Sequence, residues 1–351
     1  MMDKNWIRST CRDLQLYYNP KVGNKLRMDT STNALGTNPA GRKALQECSN
    51  LDVGQYPSTY GDGLRSALAD LYRLKIDNFV VGNGSDEALD IIIKTFVEPG
   101  ETVITAHPAY VLHSFFVKIN GGNTVTVDLD EDFQLDVEAI NSTKGKVVLI
   151  CTPNNPTSNI FRMDDVRAII EGSDRPVVVD EAYGEYTGAS FIPLVKRYDN
   201  LIVTRTFSKA YGLAGMRIGY LAAGLEMTDA MQRVKIPYSL NAIGERVAMA
   251  ALKDREFLER SVNVVKEERP YLEEGLRDLG FHVYPSEANY VLFRSTIPSD
   301  ELTRKLSDKG VLIRDFGKVR RLENCVRTTI GTREMNSTLL NKMREVLEEC
   351  R

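Results

Sequence analysis

The sequence predicts an α/β fold, in which a large domain with a mostly parallel sheet is followed by a smaller α+β domain. Between about residues 56 and 220, short runs rich in β-branched residues recur, and each leads through a polar loop into helix-like periodicity. Continuous apolar runs of this kind are typical of strands that are buried on both faces of a parallel sheet. After Asn241 the pattern changes to long amphipathic helices mixed with shorter strands.

The predicted elements divide the chain into three parts. The runs of the large domain are residues 78–81, 102–105, 124–127, 146–150, 176–179 and 201–204. The later part predicts helices over 254–279, 300–308 and 333–350, and strands over 281–284, 290–293, 311–313 and 327–330. We therefore expect a large domain over 46–245, a small domain over 246–351, and an N-terminal arm over 1–45 that packs on the small domain or on a partner subunit.

Composition and charge favour small-molecule chemistry. The 351 residues are 42% hydrophobic and 26% charged, with a formal net charge of −3, which gives no basic field for nucleic acid. The five cysteines are scattered and the three histidines are not clustered, so we expect neither disulfides nor a metal site. No apolar run has the length of a signal peptide core or a membrane span, and we expect a cytoplasmic protein.

The first candidate site element follows the first strand. The loop Gly82-Asn-Gly-Ser-Asp-Glu87 leads into a helix, and the free N–H groups of a helix's first turn can hold a phosphate. Because Asp86 and Glu87 would repel that anion, we expect both to point aside and favour the helix dipole. Taken alone, the loop is better explained as a turn with a helix cap.

Two further strands end in polar groups. Asn155 stands before Pro156 in a rigid loop, which leaves its amide free to donate. Asp180 follows the buried run 176–179, and a carboxylate there needs a cation or a donor, such as a pyridinium nitrogen. Tyr183 lies close enough in sequence to reach a hydroxyl on the same ring. A turn and a helix cap remain the alternative explanations.

The fourth strand leads into a loop that contains Lys209. Thr206, Ser208 and Arg217 could together bind a phosphate dianion, with the guanidinium as a forked donor. A desolvated Lys209 beside Arg217 would have a lowered pKa and could act as an amine nucleophile. A phosphate cradle, an anion for a ring nitrogen, donors for a ring oxygen and an imine-forming amine are together the groups that bind pyridoxal phosphate.

The motifs resemble those of the fold-type-I aminotransferases and, within them, the histidinol-phosphate aminotransferase family, which implies that the mostly parallel sheet of the large domain has seven strands. They occur in family order along most of the chain. The matching motifs are Gln55-Tyr-Pro57, Gly82-Asn-Gly-Ser-Asp-Glu87, His107-Pro-Ala-Tyr110, Thr152-Pro-Asn-Asn-Pro-Thr157, Val179-Asp-Glu-Ala-Tyr183, Thr206-Phe-Ser-Lys209 with Gly215-Met-Arg217, and Val326-Arg-Thr-Thr-Ile-Gly-Thr-Arg333.

The resemblance implies roles around the cofactor. Lys209 would carry pyridoxal phosphate in an imine linkage and move protons during catalysis. Asp180 would keep the ring nitrogen protonated, and Asn155 and Tyr183 would contact the ring oxygen. The remaining cofactor contacts are expected from Tyr110, which would stack on the ring, and from the phosphate ligands Gly84, Ser85, Asp86, Thr206, Ser208 and Arg217.

The resemblance also implies a partner subunit and a substrate. Tyr56 matches a tyrosine that reaches the phosphate of the neighbouring subunit, which implies a homodimer with shared active sites. Arg327 would bind the substrate's carboxylate or phosphate, Arg314 matches a second substrate-side arginine, and Tyr18 and Asn33 are expected on the same side. The amino acceptor would be a keto acid such as 2-oxoglutarate.

The chain departs from the family pattern at a few positions, and alternatives stay open. The family's Asn-Glu-Asn-Pro-x-Gly stretch reads here as Ser31-Thr-Asn-Ala-Leu-Gly36, and Ser158 stands where the family has glycine. Transamination of histidinol phosphate in histidine biosynthesis is the first expectation. The alternatives are an aromatic amino-acid aminotransferase, a threonine-phosphate decarboxylase, and a regulator built on the same fold.

Overall fold

The computed structural model describes residues 6–12, 14 and 23–350. Its helices are α1 Ser9–Arg12, α2 Pro39–Glu47, α3 Asp62–Tyr72, α4 Ser85–Phe96, α5 Val111–Ile119, α6 Val137–Ser142, α7 Met163–Glu171, α8 Leu225–Val234, α9 Ala242–Lys253, α10 Arg255–Asp278, α11 Ser299–Asp308 and α12 Arg333–Glu349. In the described part of the chain, no helix is long and apolar enough to cross a membrane.

The strands form one large sheet and two smaller ones. They are β1 Leu26–Arg27, β2 Phe79–Gly82, β3 Thr102–His107, β4 Asn123–Asp128, β5 Val147–Cys151, β6 Val177–Asp180, β7 Leu201–Thr206, β8 Gly219–Ala223, β9 His282–Val283, β10 Tyr290–Arg294, β11 Val311–Leu312, β12 Arg314–Asp315 and β13 Cys325–Thr329. The large sheet has the order β2-β8-β7-β6-β5-β3-β4, and only β8 runs antiparallel to its neighbours. The predicted mostly parallel seven-stranded sheet is confirmed.

The apolar runs are explained by burial on both faces of this sheet. In β5, Val147 and Leu149 belong to a buried cluster that includes residues of α4 and α8, whereas Val148 and Ile150 belong to a second cluster that includes residues of α3 and α7. Because successive strand residues point to opposite faces, both must be apolar. Strand β8 lay outside the predicted runs because its sequence, Gly-Tyr-Leu-Ala-Ala, contains no β-branched residue.

The register of the central strands places their polar ends together. Cys151 of β5 lies beside Asp180 of β6, and Asp180 lies beside Thr204 of β7. Since these strands are parallel, the loops that follow them meet at one edge, where open α/β sheets bind ligands.

The C-terminal part contains a second, four-stranded antiparallel sheet in the order β12-β13-β10-β9. Strand β1 pairs in parallel with β11, so the segment near residue 26 lies against this part of the chain. Helix α9 packs on α2 and α3, and the expected domain boundary at residue 245 falls inside it. The division into an arm, a large domain and a small domain stays a prediction.

Candidate active site

A cavity of about 160 Å³ opens between the carboxyl edge of the large sheet and the four-stranded sheet. Most of the residues that the sequence predicts for the site line it. The lining residues are Asp29, Thr30, Ser85, Asp86, Tyr110, Cys151, Asn155, Asp180, Ala182, Tyr183, Thr206, Ser208, Lys209, Arg217, Arg314 and Arg327.

Asp180 is a buried carboxylate that its neighbours hold in place. Its Oδ1 accepts hydrogen bonds from Thr204 Oγ1 at 2.9 Å and from the Ala182 amide at 3.2 Å. Its Oδ2 accepts from His113 Nε2 at 3.2 Å, while His113 Nδ1 is buried and has no hydrogen-bond partner within the described part of the chain. A carboxylate held in this way can accept one more charged donor from the cavity.

Lys209 lines the same cavity as Asp180. Nζ donates to the Thr30 carbonyl at 2.9 Å and lies 5.3 Å from the centre of the Tyr183 ring. Burial and the positive charge of Arg327, with a smaller effect of Arg217, lower the pKa of Lys209 to about 7. The expected lowering is confirmed, although Arg327, on the other sheet, contributes more than Arg217. The amine is therefore a nucleophile near neutral pH.

Four side chains and a glycine form a cradle beside Lys209. Arg217 donates to Asp86 Oδ2 at 2.8 Å and to Ser208 Oγ at 3.4 Å, and Thr206 Oγ1 donates to Ser208 Oγ at 2.9 Å. Gly84 precedes α4 with φ +91°, and a Cβ there would lie 2.7 Å from Arg217 Nη2. A glycine is therefore required for the guanidinium to reach the first turn of α4.

The two acids of this loop differ in direction. Glu87 turns back and accepts a hydrogen bond from the backbone N–H of Asn83, as expected. Asp86 instead lines the cavity and pairs with Arg217, so the expectation that it points aside is wrong. The physical reason is that Arg217 offsets the repulsion that an isolated carboxylate would exert on a bound anion.

Asn155 connects the cofactor side of the cavity to the second sheet. Its Oδ1 accepts a hydrogen bond from Arg327 Nη1 at 2.6 Å, and Arg327 Nη2 donates to the Asp29 carbonyl at 3.1 Å. Both acceptors are neutral oxygens, so these hydrogen bonds stabilise the guanidinium of Arg327 but do not neutralise its positive charge. The amide nitrogen of Asn155 remains available as a donor.

Arg314 and Arg327 form a cationic wall. They lie directly opposite each other in the register of β12 and β13. Like charges at opposed positions destabilise an antiparallel pair, so this arrangement favours binding of an anion between them.

Two tyrosines line the cavity, one in the loop after β6 and one in the loop after β3. Tyr183 is buried, packs edge-on against Tyr290 at 4.9 Å, and burial raises its pKa, which keeps its hydroxyl protonated as a donor. Tyr110 lies at the start of α5 and its hydroxyl donates to Asp86 Oδ1 at 3.4 Å.

Among the described residues, three that the sequence predicts for the site do not line the cavity: Gly84, Asn33 and Tyr56. Tyr56 is 83% exposed and packs on the ring of Tyr238 at 4.8 Å. Asn33 donates to the backbone carbonyls of Lys209 and Ala210 and thereby holds the lysine loop from behind. Tyr18 lies outside the described residues. The roles expected for these residues stay predictions.

The sequence prediction missed His113, Asp29 and Thr30. His113 follows Tyr110 by three residues, a spacing that brings two side chains to one helix face, and this was its only signal. Asp29 is buried and Thr30 is half-buried, and neither Asp29 Oδ2 nor Thr30 Oγ1 has a hydrogen-bond partner among the described residues. Nothing in the sequence separates them from the neighbouring polar residues.

The donor set fits pyridoxal phosphate. The Arg217 cradle and the first-turn N–H groups of α4 suit a phosphate, Asp180 suits a protonated ring nitrogen, and Lys209 supplies an amine of lowered pKa. The side chains that supply these groups all line one cavity.

Comparison with known proteins gives the same result. Residues 24–343 match the family described as aminotransferase class I and II. A histidinol-phosphate aminotransferase of Caldanaerobacter subterraneus subsp. tengcongensis is 36% identical over 99% of this chain and 100% of its own. One of Pyrococcus furiosus is 38% identical over 88% of each chain.

A solved structure agrees as well. The histidinol-phosphate aminotransferase of Sinorhizobium meliloti in complex with pyridoxal-5'-phosphate superposes with a TM-score of 0.90, at 26% identity and over 98% of both chains. These matches confirm the resemblance found in the motifs and support the predicted cofactor. The chain belongs to the class I and II aminotransferases.

Proposed function

We propose that this protein is a pyridoxal-phosphate-dependent aminotransferase that transfers the amino group of histidinol phosphate to 2-oxoglutarate. The observation that carries the proposal is Lys209, a buried amine of pKa about 7 in the same cavity as Asp180 and Arg217. The names of the full-length relatives supply the substrate.

The cofactor contacts follow from the positions of the side chains. Arg217, Ser208 and Thr206 would hold the phosphate together with the first turn of α4. Asp180 would hold the ring nitrogen, and the free amide nitrogen of Asn155 and the Tyr183 hydroxyl would donate to the ring oxygen. His113 and Thr204 would fix the orientation of Asp180 through their hydrogen bonds to it.

The chemistry divides between the cofactor and the chain. When bound, pyridoxal phosphate supplies an aldehyde that condenses with amines and a protonated ring that withdraws electrons. Lys209, once released from the cofactor by the incoming amine, would take the proton from the substrate's α-carbon as a general base and would deliver it to the cofactor's former aldehyde carbon as a general acid. Its pKa near neutrality suits both directions of proton transfer.

The substrate's anionic group would bind the cationic wall. Arg327 and Arg314 are cross-strand neighbours, and a phosphate dianion has enough oxygens to accept from both guanidinium groups. A keto acid such as 2-oxoglutarate can use the same wall through a carboxylate, which would let one site serve both half-reactions.

A homodimer with shared sites is part of the proposal. Val53, Tyr56, Ile236 and Tyr238 are large apolar residues between 41% and 83% exposed, and the two tyrosines pack together. Such a patch favours burial against another protein surface. A second copy would cover it and would bring Tyr56 towards the neighbouring phosphate cradle.

The compartment is proposed from the cysteines. All five are free thiols, and Cys48, Cys151 and Cys325 are buried. Unpaired cysteines are typical of proteins from reducing compartments. We therefore expect the protein in the cytoplasm.

The test is a panel of amino donors offered to purified holoenzyme. Histidinol phosphate, phenylalanine and threonine phosphate are each mixed with the enzyme, and the cofactor's absorption is followed through the first half-reaction before 2-oxoglutarate is added. We expect the highest kcat/KM with histidinol phosphate. A preference for phenylalanine would contradict histidinol phosphate as the substrate and favour an aromatic amino-acid aminotransferase. Release of carbon dioxide from threonine phosphate, without a keto product, would contradict transamination and favour a decarboxylase.

A further inference from the structure

The guanidinium of Arg327 lies between two aromatic rings. Its Cζ is 4.7 Å from the centre of the Tyr290 ring and 5.2 Å from the centre of the Phe316 ring. Its hydrogen bonds, to Asn155 and to the Asp29 carbonyl, also go to neutral groups. A cation held by rings and neutral oxygens keeps its charge for a ligand, whereas a carboxylate partner would cancel it.

The strand register explains how the two rings reach Arg327. Strand β13 lies between β12 and β10, so one neighbour approaches from each side. Tyr290 is two positions from Leu292, the direct partner of Arg327, and Phe316 is two positions from Arg314, its partner on the other side. Since residues two apart share a face of the sheet, both rings lie on the face that presents Arg327.

The two rings beside Arg327 differ in burial. Tyr290 is fully buried, and its hydroxyl donates to the Asn154 carbonyl at 2.7 Å. Phe316 is partly exposed and begins the loop 316–324, which crosses to the large sheet. There Arg320 pairs with Asp128, and His107 Nε2 donates to the Arg320 carbonyl at 3.1 Å.

We infer that Phe316 is a positioning residue that fixes the guanidinium plane of Arg327 for the anionic group of the amino donor. The inference rests on the proposed function, since it takes Arg327 as the group that binds the donor's anion. Tyr290 contacts one side of the guanidinium from a fully buried position, and Phe316 contacts the other side from a partly exposed position. An aromatic ring at 316 therefore determines how tightly an anion binds, and it leaves the proton transfers of Lys209 unchanged.

The experiment compares Phe316→Leu and Phe316→Tyr with wild-type holoenzyme. A cation–π contact of this kind corresponds to roughly a 2- to 30-fold change in affinity, so Phe316→Leu is expected to raise KM for histidinol phosphate by that factor. In Phe316→Leu we expect kcat and the cofactor spectrum to stay unchanged. In Phe316→Tyr, which keeps an aromatic ring, we expect KM to stay at the wild-type value. The dissociation constant of inorganic phosphate from the holoenzyme, measured by calorimetry, should rise by the same factor.

A matched control separates positioning from general stability. Phe281 packs on Phe293 at 5.0 Å next to the same four-stranded sheet, away from Arg327. Phe281→Leu should lower the melting temperature without raising KM.

The inference is overturned if Phe316→Leu leaves KM and the phosphate dissociation constant unchanged, or if kcat falls while KM stays the same. If wild-type enzyme does not turn over histidinol phosphate, the proposed substrate fails. The phosphate titration of the two Phe316 variants still decides the role of the ring in that case.

Discussion

The two halves of the cavity handle charge in opposite ways. On the large sheet, charged groups meet partners within the chain, as Asp86 does with Arg217 and Asp180 with His113. On the four-stranded sheet, Arg314 and Arg327 are placed opposite each other, and rings and neutral oxygens surround Arg327. The first half is organised in advance for one permanent ligand, and Arg327 in the second half keeps its positive charge for ligands that bind and leave.

The largest expected effect is at Lys209, on the cofactor half. Lys209→Ala removes both the amine that links to the cofactor and the proton carrier, so turnover should fall roughly 10³-fold or more. The visible absorption band of the bound cofactor should change at the same time, which spectroscopy of the purified protein measures.

Lys235 provides the matched control for this prediction. It is also a buried lysine whose pKa is lowered by burial, but it does not line the cavity. Lys235→Met should keep the absorption band. An unchanged band in Lys209→Ala would contradict the assignment of the cofactor linkage.

The next effect is at Asp180, where a buried charge meets the ring nitrogen. Asp180→Asn keeps the size of the side chain and removes its charge. Losing one partner of a buried pair costs about 3–5 kcal/mol, which corresponds to a fall in kcat of roughly 150- to 5,000-fold. Thr204→Val removes one neutral hydrogen bond to the same carboxylate and should cost about tenfold or less. Equal losses in the two variants would argue against a charge effect.

The two halves also influence each other through the pKa of Lys209. In cofactor-free protein its amine should be half deprotonated near pH 7. Arg327→Met removes a neighbouring positive charge and should shift this midpoint upwards. The measurement is the pH dependence of labelling of Lys209 by an amine reagent, mapped by mass spectrometry. The exposed Lys43 is the internal control and should give the same profile in both proteins. An unchanged Lys209 midpoint would show that the halves are electrostatically independent.

The same shift has a consequence for stability. The unfolded chain keeps Lys209 protonated up to a pKa of about 10.5, whereas the folded cofactor-free protein releases that proton near pH 7. Between these values the unfolded state holds one more proton, so the contribution of Lys209 makes the free energy of unfolding rise with pH. Below pH 7 the full penalty for burying the charge is present. Lys209→Met should lack this rise.

The contrast between the halves also explains which features the sequence could predict. Asp180, Asn155 and Lys209 each follow an apolar run, and parallel strands bring such ends together without further information. His113 required knowledge of which face of α5 meets the sheet.

Long-range partners were beyond a strand-by-strand prediction. Asp86 was expected to point aside because its partner Arg217 lies 131 residues later in the chain. The opposition of Arg314 and Arg327 depends on a strand register that loop lengths do not reveal. The pKa of Lys209 was attributed to Arg217 because Arg327 is distant in sequence, although it has the larger effect.

The smallest expected effect tests the ion pair that ties the halves together on the surface. Asp128 of β4 pairs with Arg320 and Arg321 of the loop 316–324, and the hydrogen bond from Arg320 holds the pKa of Asp128 below its usual range. The carboxylate therefore stays ionised at every pH at which the enzyme would be assayed. Asp128→Asn weakens the bridge that holds this loop, so KM for the anionic donor should rise about two- to threefold, within the range of exposed ion pairs.

Added salt should raise the wild-type KM towards that of the variant by screening the pair between Asp128 and Arg320. Asp229→Asn, which breaks the exposed pair with Arg233 on α8, should leave KM unchanged, and an equal rise in both variants would mean that the bridge has no specific effect on the substrate half.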